Sequence, residues 1–439
     1  MSDAMRRDWP ATLKIEPIRR ASGVVQLPGS KSLTNRALLL AALAEGTTTL
    51  SNVLDAEDTQ VMIGALRSLG VAVTSDETGT RIEGCGGAFP ERKAELFLGN
   101  AGTAMRSLAA ALAFAGGTYH LDGVARMRER PIGDLVDALN ALGARVRYAG
   151  TAGYPPLLIE PAQLAGSNEV DIRGAVSSQF VSGLLMAAPL IAPSGGLKVN
   201  VPGTLISQPY VAMTIALMKR FGIDVARADA QGGNAFDVPR ASYCSPGRYA
   251  IEGDASSASY FLALGALAGG PIRVHGAGSA SVQGDVAFAR LLEAMGARVL
   301  WGPDWIETSS SGALRGVDYD CGAIPDAAMT AAVVGLFARG RTRLRGIGSW
   351  RVKETDRIAA MATELGKLGA QVENGPDWLA LDGPVALRAA EIDTYDDHRI
   401  AMCFALAATG GVPVVIRDPR CVSKTFPTFF EVLASVSVA

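Results

Sequence analysis

One kind of helix occurs six times in this chain, and that recurrence limits the possible folds more than any other feature. The copies are "GSKSLTNRALLLAALAEGTTTL", "GNAGTAMRSLAAALAFAGGTYHL", "VSSQFVSGLLMAAPLIAPSGGLKV", "GDASSASYFLALGALAGGPIRV", "IPDAAMTAAVVGLFARGRTRL" and "YDDHRIAMCFALAATGGVPVVI". Each opens on Ser, Asn or Asp, whose side chains can cap a helix start. Each then runs through Ala and Leu, stops at glycine, and resumes as a β-like stretch. The openings fall near Ser30, Asn100, Ser177, Asp254, Asp326 and Asp397, 70 to 77 residues apart. A second helix recurs between them, as in "ALRSLGVAV", "ALNALGARVRY", "LMKRFGIDV", "LLEAMGARVLW" and "ELGKLGAQVEN". Its closing glycines, Gly70, Gly143, Gly222, Gly296 and Gly369, repeat every 73 to 79 residues. "FFEVLASV" reads as a truncated sixth copy. Two motifs on one period predict six units of helix, strand, helix and strand, with further short strands.

A chain of 439 residues exceeds a single compact core, so three units in each of two domains is the expected division. Crossings are expected near residues 29 and 252. The first domain then spans 30–252, and the second joins 1–29 to 253–439.

Composition narrows the function. Net charge is −2, which leaves no global field for DNA or an acidic membrane. Aromatics are 6%, too few for a stacking platform on single-stranded nucleic acid. The five cysteines, Cys85, Cys244, Cys321, Cys403 and Cys421, are scattered and read as reduced core residues of a cytoplasmic protein. "MSDAMRRDWP" lacks the apolar segment of a secretory signal. "FVSGLLMAAPLIAP" is short of the roughly 20 residues of a membrane span. His120, His275 and His398 lie far apart, which argues against a histidine metal site.

The polar residues crowd at the entrances of the repeated helices. First-helix entrances carry Lys31, Ser32 and Arg36; Asn100, Gly102 and Arg106; Ser177, Ser178 and Gln179; Asp326; and Asp397, His398 and Arg399. Second-helix entrances carry Arg126, Arg128 and Arg130, then Ser207, then Lys353, Glu354 and Arg357, then Lys424. A helix start offers free N–H groups and a positive dipole end, so cations there are unfavourable unless an anion is shared. The entrances therefore read as anion sites. Each segment alone also fits a bland role as a cap, a solvated basic turn or a surface helix. Placement at equivalent points of a repeat favours the functional reading. "GSKS" is no P-loop, because Ser30 precedes Lys31 and Val25 occupies the place of the first glycine.

Nine blocks in order, "LPGSKSLTNRALLLAALA", "LGNAGTAMR", "ERPIGDLVDAL", "SSQF", "EGDASSASYFLA", "IPDAAMT", "WRVKETDRI", "YDDHRIAM" and "KTFP", resemble the EPSP synthase family of enolpyruvyl transferases from about residue 13 to 434. The resemblance implies an α/β (α+β) fold of two similar domains, each of three βαβαββ-type repeats, with the active site in the interdomain cleft. It implies transfer of the enolpyruvyl group of phosphoenolpyruvate to the 5-hydroxyl of shikimate 3-phosphate. That reaction, an addition followed by loss of phosphate, belongs to aromatic amino acid biosynthesis. No metal or organic cofactor is expected.

Carried over by position, the resemblance puts Lys31 on both substrates. Ser32, Arg36, Ser177, Ser178, Ser207, Ser349 and Lys353 are implied to hold shikimate 3-phosphate, with Gln179 between the substrates. Gly102, Arg130, Arg357, Arg399 and Lys424 are implied to clamp phosphoenolpyruvate, and Arg106, Tyr210 and Asp254 to support. Asp326, also on the shikimate side, and Glu354 are implied as acid and base, with the order between them open. Glyphosate is the expected inhibitor and a monomer the expected state. Two positions depart from relatives: Ser349 replaces the usual Asn with a shorter side chain, and Ser107 replaces a common Pro.

Three rival readings differ in class. The sister transferase acting on UDP-N-acetylglucosamine typically carries a Cys before its Arg-Pro dipeptide, and "DGVARMRERP" has none. A non-catalytic anion-binding protein is disfavoured by the presence of both Asp326 and Glu354. An ATP-dependent kinase is disfavoured by the broken P-loop.

Overall fold

The five closing glycines of the second helices share one backbone conformation. Gly70, Gly143, Gly222, Gly296 and Gly369 have φ between 82° and 108° in a computed structural model that describes residues 9–228 and 233–439. The residue after each glycine donates its N–H to a carbonyl five residues back, as Val71 does to Leu66 and Ala370 to Leu365. This is the Schellman closure, which needs a left-handed residue and so selects glycine. The stretch Met1–Asp8, part of the segment read above as lacking a signal, lies outside the described residues.

Among the described residues, six sheets follow from the six units. In the unit around Gly102–Leu112, strand Lys93–Phe97 runs parallel to Thr118–Asp122 across that helix. Leu157–Glu160 then pairs antiparallel with Thr118–Asp122, and Arg145–Tyr148 lies outermost. The same plan recurs around Ser178–Ala187 and Ala328–Gly335. Elsewhere, distant segments complete it. Arg248–Ala250 supplies the first strand beside Thr47–Ser51, and Arg20–Gln26 supplies it beside Gly269–His275. Thr12–Ile15 pairs with Val414–Arg417. The truncated sixth copy is the helix Phe429–Ser435, and the short strand after it, Ser437–Val438, joins the sheet of Arg20–Gln26.

The chain divides into two compact units, Ser30–Ile251 and the chain up to Gly29 with Glu252–Ala439. The crossing comes one residue earlier than expected: Glu252 belongs with the second of these units, where its carboxylate accepts from Val282 N–H and Gln283 Nε2. Each unit has its own apolar core. The first helices form its centre and are buried all round, as an Ala/Leu helix without a polar face must be. In Lys31–Leu43, Gly102–Leu112 and Ser178–Ala187 the residue that escapes burial is the second in each case: Ser32, Thr103 and Gln179. Small residues permit close crossing: a Cβ on Gly183 would sit 3.0 Å from the Arg106 carbonyl oxygen of the neighbouring helix.

Four of the six expected caps form. Ser30, Ser177, Asp254 and Asp397 accept from Leu33, Gln179, Ser257 and Arg399 N–H. Asn100 and Asp326 do not cap; helices begin later, at Gly102 and Ala328, behind Ala101 and Ala327. Both side chains face guanidinium groups instead. A charge-assisted bond is about twice as strong as a neutral one and outcompetes a cap.

Candidate active site

In the unit that contains the C-terminus, Arg357 begins the helix Arg357–Lys367 and is 1% exposed. Its Nε donates to Asp397 Oδ2 at 2.7 Å and its Nη2 to Asp397 Oδ1 at 3.2 Å. Nη2 also reaches Glu354 Oε2 at 2.9 Å, and Nη1 reaches Asp326 Oδ1 at 3.1 Å. Asp326 meets two further cations: Arg399 Nη2 lies 2.9 Å from Oδ2 and Lys353 Nζ 3.7 Å from Oδ1. Burial alone would raise the Asp326 carboxyl. Arg399, Lys353 and Arg357 outweigh it and hold the group well below the carboxylate range, with Glu354 opposing. Burial would likewise weaken the Arg357 cation, but Asp397, Glu354 and Asp326 push its pKa above the ordinary value. Burial raises the Asp396 carboxyl above its ordinary value, against the opposing pull of Lys424, which is buried at the end of the turn Pro419–Lys424. Ser349 stands in the turn Gly348–Val352 before Lys353, its hydroxyl buried without a hydrogen-bond partner.

The unit Ser30–Ile251 is built differently. Arg36 is buried, with Nε on Thr214 Oγ1 at 2.8 Å, Nη1 on the Ser32 carbonyl at 3.0 Å and Nη2 on Ser182 Oγ at 3.5 Å. All three partners are neutral. Burial lowers its pKa from the ordinary arginine value to about 10 against the pull of Tyr210, a penalty on the charged form on the order of a few kcal/mol. Arg130 is also buried; its Nη1 donates to the Asn100 carbonyl and Oδ1, at 3.0 and 2.9 Å, while its Nε has no partner. A Cβ on residue 102 would lie 2.5 Å from Arg130 Nη2, so only glycine lets that guanidinium lie against the helix start. Lys31, at the first position of its helix, pairs with Asp58 at 3.3 Å. Arg106 donates to Met127 Sδ and the Pro131 carbonyl. Ser178 is buried, with Ser177 and Gln179 half-buried beside it. Ser207 is buried with φ 51°, a strained conformation for a residue with a side chain.

The expected residues thus gather as two sets: Asp326, Lys353, Glu354, Arg357 and Arg399 in direct contact in one unit, and helix-start residues of three consecutive repeats in the other. Among the described residues no group of three or more His, Cys, Asp or Glu could hold a metal ion.

The family model described as EPSP synthase (3-phosphoshikimate 1-carboxyvinyltransferase) matches residues 15–433. The chain belongs to the EPSP synthase family. A curated relative from Thiobacillus denitrificans named 3-phosphoshikimate 1-carboxyvinyltransferase is 60% identical over 423 residues, covering 95% of this chain and 97% of that one. One of the same name from Nitrosomonas europaea is 57% identical over 432 residues, covering 97% and 98%. The solved EPSP synthase of Acinetobacter baumannii aligns with a TM-score of 0.78 at 28% identity over 98% of both chains. The enolpyruvyl transferase NikO of Streptomyces tendae shares the fold, with a TM-score of 0.76 at 21% identity over 97% and 98%.

For an EPSP synthase family chain, sequence reasoning missed three contacts. Asp397 was seen as a helix opening, yet its carboxylate also carries Arg357. Asp58 pairs with Lys31, but an acid in the first turn of the helix Glu57–Ser68 looks like ordinary dipole chemistry. Tyr260, buried inside "ASSASYFLA", accepts from Arg399 Nη1 at 3.4 Å, and nothing in its local pattern marks it.

Proposed function

We propose that these two sets of residues carry out the reaction of the family, transferring the enolpyruvyl group of phosphoenolpyruvate to the 5-hydroxyl of shikimate 3-phosphate. The chain is a transferase of the shikimate pathway. Ser32, Arg36, Ser177, Ser178, Gln179, Ser207, Asp326, Ser349 and Lys353 bind shikimate 3-phosphate. Gly102, Arg130, Gln179, Arg357, Arg399 and Lys424 bind phosphoenolpyruvate, and Lys31 touches both. Arg36 and Arg130 support this reading, being buried cations with neutral partners that an incoming phosphate or carboxylate would satisfy. So does the unpartnered Ser349 hydroxyl.

The observation that carries the mechanism is the convergence of Lys353, Arg357 and Arg399 on Asp326. In that field the carboxylate is ionised but a weak base. Substrate phosphate and carboxylate groups draw on the same cations, so their arrival raises the basicity of Asp326 at the moment a hydroxyl proton must move. Glu354, tied to Arg357, is the second proton-transfer group. Addition needs a proton at C3 of phosphoenolpyruvate and loss of one from the 5-hydroxyl; elimination takes a proton from C3 and supplies one to the departing phosphate, while the 5-oxygen stays bonded to C2. The cations hold reactants in place and stabilise charge in the transition state.

Phosphate release, assayed with shikimate 3-phosphate and UDP-N-acetylglucosamine in parallel, tests the substrate; release with the latter alone overturns the reading. Asp326→Asn and Glu354→Gln are each expected to lower kcat at least 100-fold while binding shifts far less. A variant that keeps kcat and loses binding identifies a clamp instead of a catalyst. Glyphosate is the proposed inhibitor at the phosphoenolpyruvate positions, and a cytoplasmic monomer is the proposed state. Among the described residues no helix is long and apolar enough to cross a membrane.

A further inference from the structure

Among the described residues, one wholly buried carboxylate has no part in the mechanism. Glu364 lies seven residues beyond Arg357 on the same helix, two turns along the same face. The rest of that buried stripe is Ile358, Ala360, Met361 and Leu365. A carboxylate there must be fully compensated. Its partners come mainly from one short segment. Asp393 N–H donates to Oε2 at 3.1 Å and Tyr395 O–H to Oε1 at 2.7 Å. Lys367 Nζ lies 2.8 Å from Oε2 and 2.7 Å from Asp393 Oδ2.

That segment is strained. Tyr395 and Asp396 both have φ of 54°, a left-handed pair that side-chain-bearing residues adopt only where the surroundings over-determine it. The next residue is Asp397, which holds Arg357 with both oxygens and caps the helix whose second residue is Arg399. Arg399 in turn reaches Asp326. One rigid helix therefore grips the segment twice, through Arg357 at its start and Glu364 two turns later. Relaxing either left-handed residue would redirect the chain and withdraw Asp397 from Arg357.

We propose that Glu364 is a positioning residue for phosphoenolpyruvate. By gripping Asp393 and Tyr395 it holds the left-handed turn that sets Asp397 on Arg357 and Arg399 on Asp326. This rests on the reading of Arg357 and Arg399 as the phosphoenolpyruvate clamp.

Tyr395→Phe tests it with little risk to folding, since Tyr395 is 41% exposed and loses only its hydroxyl. Expected is a rise of about fivefold or more in KM for phosphoenolpyruvate, with KM for shikimate 3-phosphate and the thermal midpoint near their native values. Glu364→Gln, which can still hydrogen-bond Asp393 and Tyr395, is expected to retain more phosphoenolpyruvate affinity than Glu364→Ala. Arg399→Lys is assayed beside them. If it leaves KM for phosphoenolpyruvate unchanged, the clamp reading falls and the proposal with it. If Arg399→Lys raises that KM while Tyr395→Phe leaves both KM values alone, or raises both equally, Glu364 is structural and the proposal is overturned.

Discussion

Arg357 and Arg36 are both buried guanidinium groups near helix starts, and they are charged for opposite reasons. Arg357 is surrounded by three carboxylates from the protein itself. Arg36 has hydroxyl and carbonyl oxygens only. The first cluster balances its cations with its own carboxylates before any substrate arrives, so a substrate anion there draws on cations that are already paired. The second keeps a cation whose compensation is left to a ligand. Attraction for an anion is therefore stored in the folded state as a stability penalty, and binding relieves it.

The sharpest way to break this contrast is to remove each cation in turn. Arg357→Met takes the shared guanidinium from Glu354 and Asp397 and leaves Asp326 to Arg399 and Lys353, and is expected to cost about 3–5 kcal/mol, or to prevent folding. Arg36→Met leaves Thr214 still bonded to the Tyr210 carbonyl, so the ligand-free protein is expected to change by less than about 1 kcal/mol or to gain stability. Shikimate 3-phosphate at 100 times its Kd should stabilise the native protein by about 2.7 kcal/mol, and Arg36→Met should lose that effect. Urea unfolding with and without ligand reads all three. Equal costs for the two substitutions would erase the distinction.

Acid sharpens it further. The Asp326 pKa is depressed in the folded state, so its contribution is fully present above the ordinary carboxyl value near 4 and is lost as pH falls toward the folded value. Asp326→Asn should flatten the acid limb of stability by about 1.4 kcal/mol per pH unit below about pH 4. A parallel limb in native and variant protein would show that the carboxylate is not held by its three cations.

The smallest effect is local to the ligand-dependent set. In Gly102→Ala the new methyl meets the far end of the Arg130 side chain, which can move. The fold should survive, while KM for phosphoenolpyruvate rises about fivefold, equivalent to about 1 kcal/mol. Steady-state kinetics with each substrate varied would show it. An unchanged KM would remove Arg130 from the phosphoenolpyruvate site.

Much of this was legible in the residues. Ala/Leu helices closed by glycine at a steady period specified six units, because helix and turn chemistry act over a few residues. The crowding of Lys31, Arg36, Arg130, Arg357 and Arg399 at helix starts was legible for the same reason. The two failed caps were not. Asn100 and Asp326 look like their four equivalents until Arg130, 30 residues later, and Arg357, 31 residues later, come within hydrogen-bond distance. A long-range charged partner is stronger than a local cap and leaves no trace in the local pattern.

The sequence by itself determined the repeat, the helix termini and the residue types available for anions and protons, since each depends on neighbours along the chain. Only the tertiary structure decided which strands complete which sheets, as when Arg248–Ala250 returns to Thr47–Ser51. It alone also decided which cations carry their own carboxylates. Both depend on contacts between residues far apart in sequence, where burial removes water and makes the nearest charge, or its lack, govern the state of the group.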